Sequence, residues 1–157
     1  MNTNVHIRKA TLTDISIITE MSASLIRSDI RFDPLLTDRW SYGEGGQTYL
    51  KKRINGRKGV CLVAEIDGNI VGYATGSLLP IQQWRPVQKT ELDNLYIFDE
   101  HRSKGIGTQL IQSFLAWSRK MKAKRVILHT KEKNVQAIAF YKRNGFDSYK
   151  IILEAVL

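Results

Sequence analysis

The spacing of hydrophobic and polar residues changes period several times along the chain, and each change predicts an element. Val5 to Lys9 alternates as a short strand. Thr11-Leu12-Thr13-Asp14 has the form of a helix start, with Thr11 as cap and Asp14 answering three residues later, and Ile15, Ile18, Met21 and Leu25 follow at helical spacing. From Arg27 to Gly46 the period is lost among Asp33-Pro34 and Tyr42-Gly43-Glu44-Gly45-Gly46. This predicts a loop or broken helix, then a short helix from Gln47 to Ile54 ended near Asn55-Gly56. Val60 to Ile66 and Ile70 to Leu79 are β-rich runs on either side of Asp67-Gly68-Asn69, residues that tolerate the positive φ of a tight turn, so they predict a hairpin. Pro80 to Pro86, carrying Trp84, reads as a loop and Lys89 to Phe98 as a third strand.

A helix is expected from about Gly105, with Ile106, Leu110, Phe114, Trp117 and Met121 on one stripe and Ile111 and Leu115 widening it. Arg125 to Thr130 reads as a short strand. Asn134 to Arg143 reads as a second helix, closed by Asn144-Gly145 in a left-handed cap, and Phe146 to Val156 as a final strand or pair of strands. Helices between some strands, beside a hairpin, predict an α/β fold with a mixed sheet.

A length of 157 residues fits one domain over 1–157. The start, Met-Asn-Thr-Asn-Val-His-Ile-Arg, has no apolar run behind a basic end, and no stretch is long enough to span a bilayer, so the expectation is a cytoplasmic protein with no membrane partner. Cys61, alone and inside the apolar run Val60 to Ala64, reads as a small buried hydrophobe. The formal charge is +9, and its placement adds more than its size: residues 1–100 hold 12 basic and 12 acidic side chains, residues 101–157 hold 12 basic and 3 acidic. The second half is therefore suited either to a solvated helix face or to a polyanion, a nucleotide or a nucleic acid. No aromatic-basic motif or zinc framework accompanies the charge, which argues against nucleic acid. His6, His101 and His129 are scattered without ligand spacing, so no metal is expected.

The segment Arg102-Ser103-Lys104-Gly105-Ile106-Gly107-Thr108 carries the sharpest signal. Two glycines between an apolar strand and a helix let backbone approach a ligand closely, and the unpaired N–H groups of the helix start favour an anion. Gly-Lys-Ser/Thr is missing, so this is no Walker loop, and a dinucleotide site would want three glycines in another spacing. The run Glu91 to Leu110 that contains this turn resembles the acetyl-CoA motif of the GNAT superfamily of N-acetyltransferases, Arg/Gln-x-x-Gly-x-Gly/Ala after a strand. Asn134 to Phe146 is similar to the second motif of that family, in the same order and at a typical distance. Ser103 stands where glycine is frequent, and Asp99-Glu100 replaces a common proline turn; neither change removes a backbone donor.

The resemblance implies a single-domain, mostly antiparallel sheet flanked by helices, with a cofactor cleft between two splayed central strands. It implies that the backbone N–H groups from Ser103 to Thr108, Ile106 among them, hold the pyrophosphate of acetyl-CoA, with charge added by Arg102 and Lys104. Lys142, Arg143 or the Arg119 to Arg125 cluster would meet the ribose phosphate. The backbone of Leu95, Tyr96 and Ile97 would pair with the pantetheine arm, and the Leu95 amide would face the thioester oxygen. Tyr141 takes the family position of the acid that protonates the departing thiolate, and Asn134 that of a contact to the cofactor arm as well as a natural N-cap.

An alkylammonium, with a pKa of about 10, must lose a proton before it attacks a thioester. Glu91 and Asp93 are the two carboxylates on offer, two residues apart on one strand face, as base or as strand-edge partners of nearby cations. If both lie close to the substrate, their repulsion raises one pKa. The acceptor is not encoded legibly. Asp29, Asp33, Asp38 and Glu44 suit a cationic amine or peptide, and Trp40 and Trp84 are loop residues that either line the acceptor pocket or pack on the sheet. A CoA-binding sensor without chemistry is the alternative from a different class. A C-terminal strand such as Ile151 to Val156 offers an edge for pairing across a homodimer.

Overall fold

The computed structural model describes residues 4–157. The first alternating run forms β1 (His6–Lys9), and a 3-10 turn over Leu12–Asp14 leads into α1 (Ile15–Asp29). Asp14 accepts from the Thr11 N–H at 2.8 Å, the half of the predicted box that fixes the entry of the chain. It also pairs with Arg8, which bridges to Glu65, and that guanidinium holds the Asp14 carboxyl down at about 2. α2 (Arg39–Tyr42) and α3 (Glu44–Asn55) precede the hairpin of β2 (Gly59–Ile66) and β3 (Asn69–Leu78). Asp67 and Gly68 both take positive φ, 49° and 78°, as the primed two-residue turn requires. β4 (Lys89–Ile97), α4 (Ile106–Lys120), β5 (Arg125–Leu128) and α5 (Val135–Arg143) complete the order, with Gly145 at φ 89° behind α5.

The strands form one sheet in the order β1-β2-β3-β4-β5, antiparallel at the first three junctions and parallel at the last. Both faces are covered. Val60, Leu62, Ala64 and Ile66 of β2 pack with Leu92 against Ile106, Leu110, Ile111 and Phe114 of α4, whereas Cys61, Val63 and Tyr73 pack against Ile18 and Met21 of α1 and Leu50 of α3. Two buried faces explain why β2 is apolar at consecutive positions rather than alternate ones. Burial pushes the Cys61 thiol up to about 12, so it stays protonated and inert.

Two expectations are corrected. Of the two readings for this stretch the broken helix forms, with α2 and α3 meeting at Gly43, but α3 starts at Glu44 rather than Gln47, so Gly45 and Gly46 lie inside it; a Cβ on Gly46 would stand 2.2 Å from the Trp40 carbonyl oxygen, and glycine here permits close contact between the two helices. The expected C-terminal strand is also absent. Residues 147–157 join no ladder, and Ile151, Ile152, Leu153 and Val156 are exposed. A strand exists only through its partner, and the tail is anchored instead by a Tyr149 hydroxyl contact with Arg85. β5 is therefore the edge of the sheet. Among the described residues no helix is long and apolar enough to cross a membrane.

Gly76 sits where β3 crosses under α4, and a Cβ there would meet Phe114 Cε2 at 2.3 Å and the Glu91 carbonyl oxygen at 2.4 Å. Gly76→Ala should therefore cost about 3 kcal/mol through overpacking, read as a lower urea midpoint at unchanged m-value. A midpoint within error of wild type would show that α4 and β4 can yield there.

Candidate active site

Two features of β4 create the cleft. Its parallel pairing with β5 runs only from Lys89↔Arg125 to Leu92↔Leu128. On the other side, Thr75 pairs with Asn94 and Gly76 with Leu92, so β4 uses two residues where β3 uses one and Asp93 is a bulge. Beyond it the strand leans away from β5. The Phe98 N–H donates to Val71 O at 3.0 Å, so by alternation Tyr96 also faces β3, and the N–H and C=O groups of Leu95 and Ile97 face the open edge. This edge forms one wall of a cavity of about 1090 Å³ closed by α1, α4 and α5.

On the cavity wall, Ser103 (φ 59°) and Gly105 (φ 78°) alternate the backbone into a nest at the start of α4. Ser103, Gly105, Ile106, Gly107 and Thr108 all line the cavity. Arg102 does too, but its Nε donates to Ile97 O at 2.9 Å, its Nη2 pairs with Asp99, and its guanidinium lies over the Tyr96 ring. Lys104 is not part of the wall, because its Nζ turns back onto the Glu100 carbonyl. Of the basic residues proposed for a second phosphate, Arg119 and Arg143 line the cavity and Lys142 does not.

Tyr141 lines the same cavity, its ring edge-to-face with Phe140 and Phe146. Burial pushes its phenol up to about 12, so it remains a hydrogen-bond donor across the physiological range. The Asn134 Oδ1 accepts from the Ala137 N–H at 3.2 Å and caps α5, which leaves its amide donor end for the cavity that it lines. Asp29, the last residue of α1, lines the same cavity, and burial raises its carboxyl.

The two β4 carboxylates share a face but not a neighbourhood. Thr90 bonds Ser118 and Leu92 packs against α4, so Glu91 points to the opposite side, as does Asp93, which reaches α3. Asp93 Oδ2 accepts from Arg53 Nε at 2.6 Å and from the Tyr49 hydroxyl at 2.8 Å. Asn94 donates to the same hydroxyl and to Thr75 Oγ1, which ties the bulge to α3. Glu91 Oε1 instead lies 2.7 Å from His129 Nδ1, just past the end of β5. Each carboxylate thus has its own partner, Arg53 for Asp93 and His129 for Glu91, and neither carboxylate is among the residues that line the cavity. Neither tryptophan expectation places a ring in the cavity: Trp40 stacks on Tyr49 from α2, and Trp84 is exposed.

Residues 27–146 match the model of the acetyltransferase (GNAT) family. The chain belongs to this family. A relative from Sulfurisphaera tokodaii named N-alpha-acetyltransferase is 32% identical over 100 residues, 57% of this chain and 58% of its own length. A Sulfolobus acidocaldarius protein of the same name is 25% identical over 95% of this chain and 83% of its own. The chain thus spans somewhat under three fifths of the first relative. Among solved structures, a tetramutant of a Bacillus halodurans protein superposes with a TM-score of 0.85 at 17% identity, covering 97% and 99% of the two chains. An aminoglycoside N-acetyltransferase in complex with CoA gives 0.76 at 14%, covering 100% and 97%. At these identities the likeness is one of fold.

This member of the GNAT family has groups that fit the acetyl-CoA its family uses. The open edge offers the Leu95 N–H and C=O and the Ile97 N–H to an amide-bearing arm, the Ile97 C=O already accepting from Arg102, and the nest offers N–H groups to a pyrophosphate. A Cβ on Gly107 would stand 2.9 Å from Phe140 Cζ and 3.2 Å from Ile97 Cδ1, so glycine keeps the turn seated against both other walls. Cavity residues not foreseen include Leu25 and Ser28 of α1, Arg31 just beyond it, and Gln112 of α4, whereas Asp29 was among the carboxylates expected to meet a cationic acceptor. The α4 set was within reach of the sequence: Thr108, Gln112, Leu115 and Arg119 step by four, three and four residues, a second stripe beside the core one.

The Arg53–Asp93 pair is mostly shielded, with side chains 20% and 16% exposed. Arg53→Ala should cost about 2 kcal/mol because it strands a carboxylate among protein groups, whereas Arg27→Ala, whose pairs with Glu20 and Asp38 are exposed, should cost roughly 0.5 kcal/mol or less. Urea unfolding of both variants checks the contrast, and equal losses would deny the bulge its brace.

Proposed function

We propose that the protein is an N-acetyltransferase that moves an acetyl group from acetyl-CoA to a primary amine by direct attack in a ternary complex. The observation that carries this reading is one cavity holding three things at once: the nest at the start of α4, the open edge at Leu95 and Ile97, and the Tyr141 phenol. Acetyl-CoA, when bound, supplies an activated acyl carbon and a thiolate leaving group. The Ser103 to Thr108 backbone holds its pyrophosphate, with Arg119 or Arg143 on the ribose phosphate. Leu95 donates its N–H where charge develops on the acyl oxygen, and Tyr141 donates its phenolic proton to the departing sulfur.

Between the two β4 carboxylates we assign the base to Glu91. Asp93 gives one oxygen to both Arg53 and Tyr49 and serves to hold the bulge. Asp29 suits the other requirement, recognition of the incoming cation: it lines the cavity with Tyr141, and its carboxylate makes no hydrogen bond or ion pair among the described residues. The acceptor class is thus a cationic amine, and the relatives and neighbours named for N-alpha-acetyl and aminoglycoside transfer both act on amines.

Thiol release should be measured with acetyl-CoA against peptides with free N-termini, polyamines and aminoglycosides. Turnover is expected with at least one, and tight acetyl-CoA binding with none would make the protein a sensor. Tyr141→Phe should lower kcat by about 100-fold while acetyl-CoA affinity stays within a factor of about three. Unchanged kcat would remove Tyr141 from the chemistry.

A further inference from the structure

Glu91 has a neighbour that the reading above does not use. His129 Nδ1 lies 2.7 Å from Glu91 Oε1, and the His129 side chain is 61% exposed while that of Glu91 is 24% exposed. This contact follows from topology. β4 and β5 run parallel, Glu91 is in register with Ile127, and His129 lies two residues further on, on the same face, at the point where the strands part. Glu91 therefore stands one residue before the last β4–β5 pair, in contact with an imidazole that is the more exposed of the two.

We infer that His129 is a positioning residue for Glu91: it donates Nδ1–H to Oε1, which fixes the carboxylate so that its other oxygen is free to take the acceptor's proton, and its own charge sets how strongly that proton is held. The inference rests on Glu91 as base. Its balance is simple. One proton leaves the ammonium nitrogen for the carboxylate, and His129 neither gains nor loses one in that step.

Lys89 and Arg125, paired two residues before Glu91 and Ile127 and on the same face, add two cations beside His129. From β3 the residue opposite Glu91 is Ser77, and from β5 it is Ile127. On the same face of β4, Asp93 is matched by Arg53 of α3, with Tyr49 bonded to both Asp93 and Thr75. Past His129, Lys131 Nζ is matched by Asp33 at 2.7 Å, and Asp29 lies further along the cavity. Imidazole is the side-chain group that ordinarily changes charge near neutrality. Protonated, it favours the Glu91 anion and weakens the base; neutral, it still donates Nδ1–H and leaves the base stronger. The rate should therefore rise with pH through the His129 inflection.

The test is the pH profile of kcat/KM with one amine acceptor in the wild type and in His129→Asn, His129→Ala and Glu91→Gln. Asparagine places a neutral donor where Nδ1 stands, so His129→Asn should keep the wild-type rate above neutrality and lose the near-neutral inflection. Alanine removes the donor as well and should lower the plateau roughly tenfold, with acetyl-CoA affinity unchanged. Retention of the inflection in His129→Asn, or a wild-type plateau in His129→Ala, would overturn the inference. Glu91→Gln separates the two readings: if it leaves turnover intact, the base has been misassigned, whatever His129 does.

Discussion

Between Thr75 and Gly76, β3 advances by one residue while β4 advances by two, and Asp93 is left without a strand partner. That surplus bends β4 and increases its twist, so pairing with β5 ends at Leu92 and the next backbone groups on that edge have no strand to meet. A bulge in a buried strand is held only if its displaced polar groups find partners elsewhere. Here Tyr49, Arg53 and Thr75 provide them, through a carboxylate and an amide that both turn to α3. The Leu95 and Ile97 backbone is available to a ligand because this cluster keeps the strand from closing on its neighbour.

The parts of the site that could be read from the sequence are those whose chemistry is local. Gly105 and Gly145 mark left-handed positions, Asn134 is a cap, and Asp67-Gly68 is a primed turn; each involves only near neighbours in the chain. The parts that could not be read depend on contacts across the sheet. Nothing within a few residues of Asp93 announces Arg53, and nothing near Glu91 announces His129, because both partnerships need the packing of α3 and the parallel register of β5. Gly45-Gly46 misled for a related reason. Glycine was taken as punctuation, yet at Gly46 it answers the nearness of another helix. The C-terminal run failed in the opposite sense, since Ile151 to Val156 has the composition of a strand but no edge to bind.

The charge distribution acquires direction in three dimensions. Arg102, Arg119 and Arg143 from the basic second half are joined along the cavity wall by Arg31 from the neutral first half, and Asp29 is the one carboxylate of that lining. An excess of cationic side chains on one concave wall raises the local concentration of anions there.

Gly107 gives this arrangement a dimension. Because the start of α4 touches Phe140 of α5 and Ile97 of β4 with no room for a methyl group, the nest cannot slide relative to the helix that carries Tyr141 or the strand that carries Leu95. The distance from the α4 turn to Tyr141 and to the Leu95 edge is therefore a property of the scaffold. In mechanical terms, and on the function proposed above, the cleft would be a gauge: an acyl carrier with a shorter or longer tether would seat its phosphates and leave its carbonyl in the wrong place.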